Sequence, residues 1–276
     1  MKKYVLLCLF VYSGLICAQV NRYFESEQRI AELFREMRDE TDDQKRKDLS
    51  EKIEYEMLLV LQNPTSFDYP FDSLTSLGKI YSDDRLLRVY TWNVPLSAGK
   101  SDYGGIVQRK QSKGQPYSVT SLKLISDGEG FKPPVDKVLS ATEWYGALYY
   151  RVIAVKAKKR SYYVLLGWSS NDDLTNFKVI EPLSFDSRGR LFLGRALFRV
   201  DRKLQQRVLF EYGSQYNLTL DYDRKNKQIV FDHLAPSDSK YQGIYAYYGP
   251  DFTYDAYVFK KNRWQFTEEV DMKNAE

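Results

Sequence analysis

From Gly78 onward, short runs of β-branched and aromatic residues alternate with turn residues. The runs at 86–94, 148–155 and 162–168 are rich in Val, Ile, Leu, Tyr and Trp, most of which favour strands. The connections between runs are short, and most leave no room for the helical crossover that joins parallel strands. The sequence therefore predicts an antiparallel β meander, arranged as a sandwich or a barrel-like sheet.

The spacing of these runs also predicts how they pair. Runs 148–155 and 162–168 flank a polar tip and form a hairpin, and runs 254–260 and 263–267 pair across Lys261 and Asn262. Runs 207–212, 217–222 and 228–232 are expected to form a three-stranded meander. Residues 135–140 follow two prolines and are expected to form one short helix.

The segment before this region has a helical pattern. Ile30, Leu33, Phe34 and Met37 recur at the spacing of one helix face, and a similar stripe covers 49–61. Residues 41–44 have the form of a capping box, with Thr41 as the hydroxyl residue. We expect helices at about 22–40 and 43–62, with Pro64 ending the second.

The predicted fold class is therefore α+β and mainly β. We expect residues 1–18 to form a signal peptide, residues 19–64 a helical hairpin and residues 65–276 a β-rich domain.

The N-terminus has the features of a secretory signal. Lys2 and Lys3 precede an uncharged run at 4–16 that is too short to cross a bilayer, and Ala18 offers a small residue for cleavage before Gln19. The alternative is a lipoprotein signal that uses Cys17, although bulky Ile16 precedes that cysteine. We expect an exported protein, located in the periplasm or associated with the outer membrane.

Composition narrows the classes of partner. Both cysteines of the chain lie within the predicted signal, so the mature chain would fold without disulfides. Loss of Lys2 and Lys3 leaves 39 basic against 37 acidic residues. This near-neutral balance gives no electrostatic reason to expect nucleic acid as a partner. A second long apolar segment is absent from the sequence, so we expect no transmembrane span.

Motifs for catalysis, metals or nucleotides are absent from the sequence. His233 is the only histidine, no Gly-x-Ser-x-Gly elbow accompanies it, and we expect it to bond a turn at a strand end. Clusters at 171–173 and 221–223 suit hairpin tips better than a calcium loop. A hydrolase needs only two carboxylates. The candidates for that alternative are Glu143, Glu181, Glu211, Asp221, Asp232 and Asp255. We expect no cofactor and no metal.

Tyrosine is the most unusual feature of the composition, with 23 in the chain. Cross-strand packing accounts for many of them, but tyrosine also builds rigid, amphipathic binding surfaces. The segment 245–257 is the densest, and it predicts a surface that binds a glycan or an envelope protein. The predicted binding residues are Tyr247, Tyr248, Asp251, Tyr254, Tyr257 and Trp168.

Three blocks resemble a family of uncharacterised exported proteins of Bacteroidota. They are residues 163–168 with the following Asn-Asp, residues 231–236, and residues 248–255. The resemblance extends over about residues 75–272, and it implies an envelope or secreted location. It brings no activity, cofactor or catalytic residue. The expected function is non-enzymatic binding or a structural role in the envelope, with a carboxylate-dependent polysaccharide hydrolase as the alternative.

Overall fold

A computed structural model describes residues 23–97, 99–112, 117–125, 133–156, 161–200 and 203–271. The chain forms two compact units, one ending at Leu77 and one beginning at Gly78. The predicted signal peptide, with Cys8 and Cys17, lies outside the described residues.

The first unit contains the two predicted helices. Helix α1 covers residues 23–39 and helix α2 covers Asp43–Leu61. Asp42 is the N-cap of α2, because its carboxylate accepts from the backbone N–H of Lys45 at 2.9 Å. The prediction that Thr41 caps this helix is therefore wrong. After α2, Asn63 caps a 3-10 helix over Pro64–Asp68.

Buried side chains in this unit follow the predicted helical spacing. Ile30 on α1 and Ile53 on α2 are wholly removed from solvent. Glu27, also buried, accepts a hydrogen bond from the hydroxyl of Tyr69 and another from the backbone of Ser73, each at 2.6 Å. These two bonds fix the segment that follows the 3-10 helix against α1. No helix in the described ranges is both long and apolar enough to cross a bilayer.

The second unit is built from three sheets, and all described strand pairs but one are antiparallel. The first sheet contains β1 (Gly78–Tyr81), β2 (Leu87–Pro95), β3 (Ser101–Arg109) and β4 (Ser118–Leu122). The second contains β5 (Leu139–Ser140), β6 (Leu148–Val155), β7 (Tyr162–Ser170), β8 (Thr175–Phe185), β9 (Leu191–Leu193) and β12 (Val208–Gly213). The third contains β10 (Phe198–Val200), β11 (Lys203–Gln205), β13 (Leu220–Asp223), β14 (Gln228–Pro236), β15 (Tyr248–Lys260) and β16 (Arg263–Thr267).

The second sheet is the middle of three layers. On β7, Tyr163 and Leu165 pack into a core shared with the first sheet, whereas Val164 and Leu166 pack into a core shared with the third. Alternate residues of a strand point to opposite faces. A strand buried on both faces needs apolar residues at every position, which explains the uninterrupted run at 162–166.

Two predicted hairpins are confirmed, namely β6 with β7 and β15 with β16. The second turns through Lys261 and Asn262, whose φ angles of 53° and 61° match the turn type that suits the twist of a hairpin. The predicted meander is only partly correct. Strand β13 pairs with β14, but β12 pairs with β8 in the middle sheet.

Residues 135–140 form a turn followed by β5, so the predicted short helix is wrong. The backbone groups of this segment bond to distant strands instead of to one another. The carbonyl of Val135 accepts from the N–H of Gln206 at 2.7 Å, and Leu139 pairs with Leu193 on β9. Tertiary pairing thus takes the groups that a helix would use.

Candidate functional site

The ladder between β14 and β15 contains a large irregularity. Asp232 pairs with Tyr254, and the next pair is Leu234 with Pro250. One residue of β14, His233, therefore faces three residues of β15. Bulges of this kind re-aim side chains and often lie beside functional sites. We call residues 251–253 the Phe252 bulge.

The local sequence explains why β15 bulges here. A carboxylate oxygen of Asp251 accepts from the backbone N–H of Thr253 at 3.0 Å and from its hydroxyl at 2.7 Å. This local turn competes with the ladder for the backbone. Phe252 at its centre has a φ of 71°, a left-handed conformation that is unfavourable for a bulky residue by about 1–2 kcal/mol. Its side chain is 92% exposed.

Beside the bulge, His233 forms a pair with a buried carboxylate. Its Nδ1 lies 2.8 Å from Oδ2 of Asp255, while Oδ1 of Asp255 accepts from the backbone N–H of Glu269 at 3.1 Å. Asp255 is buried, whereas the imidazole side chain is 43% exposed. Sequence neighbour Asp232 faces elsewhere and accepts from the N–H of Thr219. The expectation that His233 bonds a turn is therefore wrong.

The carboxylates around His233 determine its charge. The hydrogen bond that His233 donates to Asp255 raises the pKa of His233, partial burial opposes that rise, and the negative charges of Asp255, Asp251 and Glu268 add to it. For Asp251, burial acts to raise the pKa, but the hydrogen bonds from Thr253 outweigh it and the pKa is lowered. An imidazole held by a carboxylate through Nδ1 is an arrangement that can move protons through Nε2.

The segment before β15 exposes a second group of aromatic rings. The rings of Tyr241 and Tyr247 are stacked, with centroids 3.9 Å apart and planes at 11°, and Tyr245 contacts Tyr248 at 5.1 Å. The Tyr248 hydroxyl accepts from the N–H of Gly243. Tyr245 and Tyr247 are each about two-fifths exposed. We call Tyr241, Tyr245 and Tyr247 the tyrosine cluster; the buried ring of Tyr248 supports it through Tyr245.

The tyrosine cluster lies at the end of the ladder that carries the bulge. Tyr245–Tyr247 form a 3-10 helix directly before β15, and the backbone N–H of Ser237 donates to the carbonyl of Tyr247 at 2.9 Å, which continues the β14–β15 pairing beyond Pro236. Ser237 is four residues from His233, a distance of about 13 Å along a strand.

The predicted binding residues are divided by the structure. Tyr247 and Asp251 are exposed, and Tyr254 is half-buried. Tyr248 and Tyr257 are buried, so they cannot offer a face to a ligand. The prediction that Tyr248 and Tyr257 belong to the binding surface is therefore wrong. The ring of Tyr257 instead packs against Phe198 and Phe231 at 5.3 and 5.6 Å.

Trp168 is half-buried on β7, in the middle sheet, and its indole forms a hydrogen bond with the side chain of Tyr212. It therefore lies on a different sheet from the other predicted binding residues.

The remaining carboxylates are mostly occupied by structural contacts. Glu181 is wholly buried beside Arg207, and Tyr145 donates to it at 2.5 Å. Burial raises the pKa of Glu181, and the charge of Arg207 opposes that rise. Asp221 pairs with Arg151.

Two of the predicted turn carboxylates do hold turns. Asp172 accepts from the N–H groups of Leu174 and Thr175 at 2.8 Å each, and Asp223 accepts from those of Lys225 and Asn226. Across the part of the chain that the structure describes, no three His, Cys, Asp or Glu residues converge as metal ligands.

Sequence reasoning missed Phe252 and the pairing of His233 with Asp255. A signal for the first exists, since Asp251 followed two residues later by Thr253 is a local turn pattern. The second has none, because 22 residues separate the partners and the pairing depends on the register at the bulge.

No protein-family model, curated protein or solved structure significantly matches this chain. The resemblance to exported proteins of Bacteroidota stays a prediction. The geometry of the Phe252 bulge, the His233–Asp255 pair and the tyrosine cluster is therefore the evidence for a function.

Proposed function

We propose that the protein is an exported, non-enzymatic binding protein of the cell envelope, and that its ligand contacts the Phe252 bulge and the tyrosine cluster. The observation that supports this proposal is the 92% exposure of Phe252, the most exposed large apolar side chain among the described residues. Exposed aromatic groups that are held rigidly are typical of recognition surfaces.

The surroundings of Phe252 favour binding over a purely structural role. Ile244, Tyr245 and Tyr247 leave 40–50% of their side chains exposed in the segment that leads into β15. Apolar contact at two places with polar groups between them suits an envelope protein or a glycan. Nucleic acid is disfavoured, because the carboxylates of Asp251 and Glu268 would repel phosphates.

A carboxylate-dependent polysaccharide hydrolase is the second candidate. One observation favours it: Asp251 and Asp255 both act on the pKa of His233, so two carboxylates and a proton carrier occupy one place. Incubation of the protein with envelope polysaccharides should release no reducing ends. Release that is lost in Asp255→Asn would support the hydrolase and contradict the binding proposal.

The proposed export has a direct test. Protein recovered from the native envelope should begin at Gln19 when its N-terminus is sequenced. A lipid-modified Cys17 would establish the lipoprotein alternative, and an intact Met1 on cytosolic protein would contradict export.

The binding surface is tested with the chain from Gln19 onward. A glycan array and a set of purified envelope proteins are probed with the unmodified protein, with Tyr247→Ser and with Phe252→Ser. Val138→Ser is the matched control, since Val138 is 50% exposed just before β5, a strand that pairs with β9 and not with β14 or β15. We expect a ligand whose binding weakens in either ladder variant and survives in the control. Equal loss in all three variants, or none in any, would contradict the proposal.

A further inference from the structure

Resting on the proposed binding function, we propose that the ligand is a protein with an apolar pocket edged by Lys or Arg, and that this pocket receives the Phe252 ring. The exposure of the ring, the fixed backbone beneath it and the charge around it support this proposal.

The exposure of Phe252 separates it from the sugar-binding type of aromatic surface. A sugar stacks on one face of a ring whose other face is supported by the protein, as in Tyr247, which is stacked on Tyr241. Phe252 is 92% exposed, so both of its faces are open to water. A flat sugar would cover only one of those faces, whereas a pocket covers both. The ring therefore gains most from a concave apolar partner.

The bulge fixes the backbone that carries the ring before any partner binds. Asp251 fixes the backbone of Thr253 through two hydrogen bonds, and β14 and β15 resume regular pairing on both sides of the bulge. Because the backbone is already fixed, binding costs the rotamer freedom of one side chain but no ordering of the loop. This is the usual condition of an anchor residue at a protein interface, and it differs from a mobile loop that orders on contact.

The charge near the ring indicates what edges the partner's pocket. Asp251 and Glu268 are exposed acids, and their fields both reach His233. Asp255 adds a third carboxylate behind the imidazole. Basic side chains at the rim of the pocket would complement this surface, and such pairs speed association and make it sensitive to salt.

The first experiment identifies the partner in cells of the native source. A photoreactive benzoylphenylalanine replaces Phe252 in the full chain, and the same residue replaces the exposed Val138 before β5 as the control. We expect irradiation to link one protein species at position 252 and not at position 138. The absence of a linked protein, or the same species from both positions, overturns the inference, as does a second copy of this chain.

The second experiment measures affinity with that purified species by calorimetry at two salt concentrations. Phe252→Ser should weaken binding by about 30-fold, in the range of an interface anchor. Glu268→Lys should weaken it chiefly at low salt, whereas Asp136→Lys, an exposed acid outside the ladder, should not. A loss of less than about threefold for Phe252→Ser overturns the inference.

The two proposals fail differently. If Tyr247→Ser abolishes binding of a glycan and Phe252→Ser does not, the proposed binding function stands and the protein partner is contradicted. If neither variant alters binding of any ligand, both proposals are contradicted. Circular dichroism of Phe252→Ser confirms that the variant is folded, which its exposed position makes the expected result.

Discussion

Arg207 donates from Nε to Oε2 of Glu181 at 2.8 Å, and both side chains are wholly buried between strands of the second unit. The guanidinium also donates to the carbonyls of Lys137 and Leu193 at 2.9 and 3.3 Å. The network joins β8, β9 and the start of β12 to the segment before β5. It stabilises by satisfying charges that burial would otherwise make unfavourable.

Removing one partner of this pair should destabilise the fold far more than removing both. Arg207→Met leaves Glu181 buried without its counter-charge, and we expect the free energy of unfolding to fall by about 3–5 kcal/mol. The double variant Arg207→Met, Glu181→Leu should lose much less stability, because neither charge of the buried pair then remains in the core. Urea denaturation measures both. Arg190→Met removes an exposed pair with Asp186 and should change stability by no more than about 1 kcal/mol. Equal losses in the single and double variants would contradict this account.

The Phe252 bulge should be more stable without its aromatic ring. Asn tolerates the left-handed region that Phe252 occupies, and the exposed ring contributes little to packing. We expect Phe252→Asn to raise the free energy of unfolding by up to about 1 kcal/mol. Asp251→Ala should lower it, by about 0.5–1.5 kcal/mol, because the bonds to Thr253 are lost. Thermal melts of both variants should shift in opposite directions; a shared downward shift would refute the explanation of the bulge.

His233 should titrate above its ordinary pKa of about 6.5. Folding raises its pKa, so the stability that it contributes is fully present below the unfolded value and is lost as the pH rises through the folded value. The chain has one histidine, so its NMR signal is unambiguous.

We expect Asp255→Asn to lower that pKa, and His233→Gln to remove the corresponding loss of stability as the pH rises. The groups that face the imidazole are Asp255, Asp251 and Glu268. A folded pKa at or below the ordinary value would contradict the geometry.

Two glycines of the second unit should respond differently to an added methyl group. A Cβ at Gly104 on β3 would lie 1.9 Å from the buried indole of Trp92, whereas a Cβ at Gly243 would meet no heavy atom within 4 Å. Gly104→Ala should lower the free energy of unfolding by about 1–3 kcal/mol, because the added methyl group overpacks the core. Gly243→Ala should lower the free energy of unfolding by only about 1 kcal/mol, because alanine is disfavoured at the φ of 84° found there. Urea denaturation of the two variants tests the difference, and a larger loss at Gly243 would be unexpected.

Features that depend on neighbours in the chain were predictable from the sequence. Both helices and the hairpins at 148–168 and 254–267 follow from periodicity and turn residues. Features that depend on distant partners were not. Strand β12 has the composition of any meander strand, and its pairing with β8 is decided by which sheet edge is open. Residues 135–140 have a helical pattern, but Leu139 gains more by pairing with Leu193.

The candidate site was partly predictable for the same reason. The richness of tyrosine at 245–257 correctly marked the segment that carries exposed rings, but composition alone does not separate a core ring from a surface ring. Tyr257 and Tyr247 are ten residues apart in one segment, but Tyr257 is buried on β15, whereas Tyr247 is exposed in the 3-10 helix before it. The binding role of the exposed residues stays a prediction.

The placement of the second sheet between two cores has a mechanical consequence. Val152 and Ile153 are adjacent on β6, yet each belongs to a different core. A slip of one residue along β6 or β7 would exchange the contents of both cores at once. A change of register in the middle sheet would therefore disturb both cores together. Strands β6 and β7 contribute side chains to both cores. A deformation imposed at the ladder that carries Phe252 would therefore be resisted by the whole unit and not by the outer sheet alone.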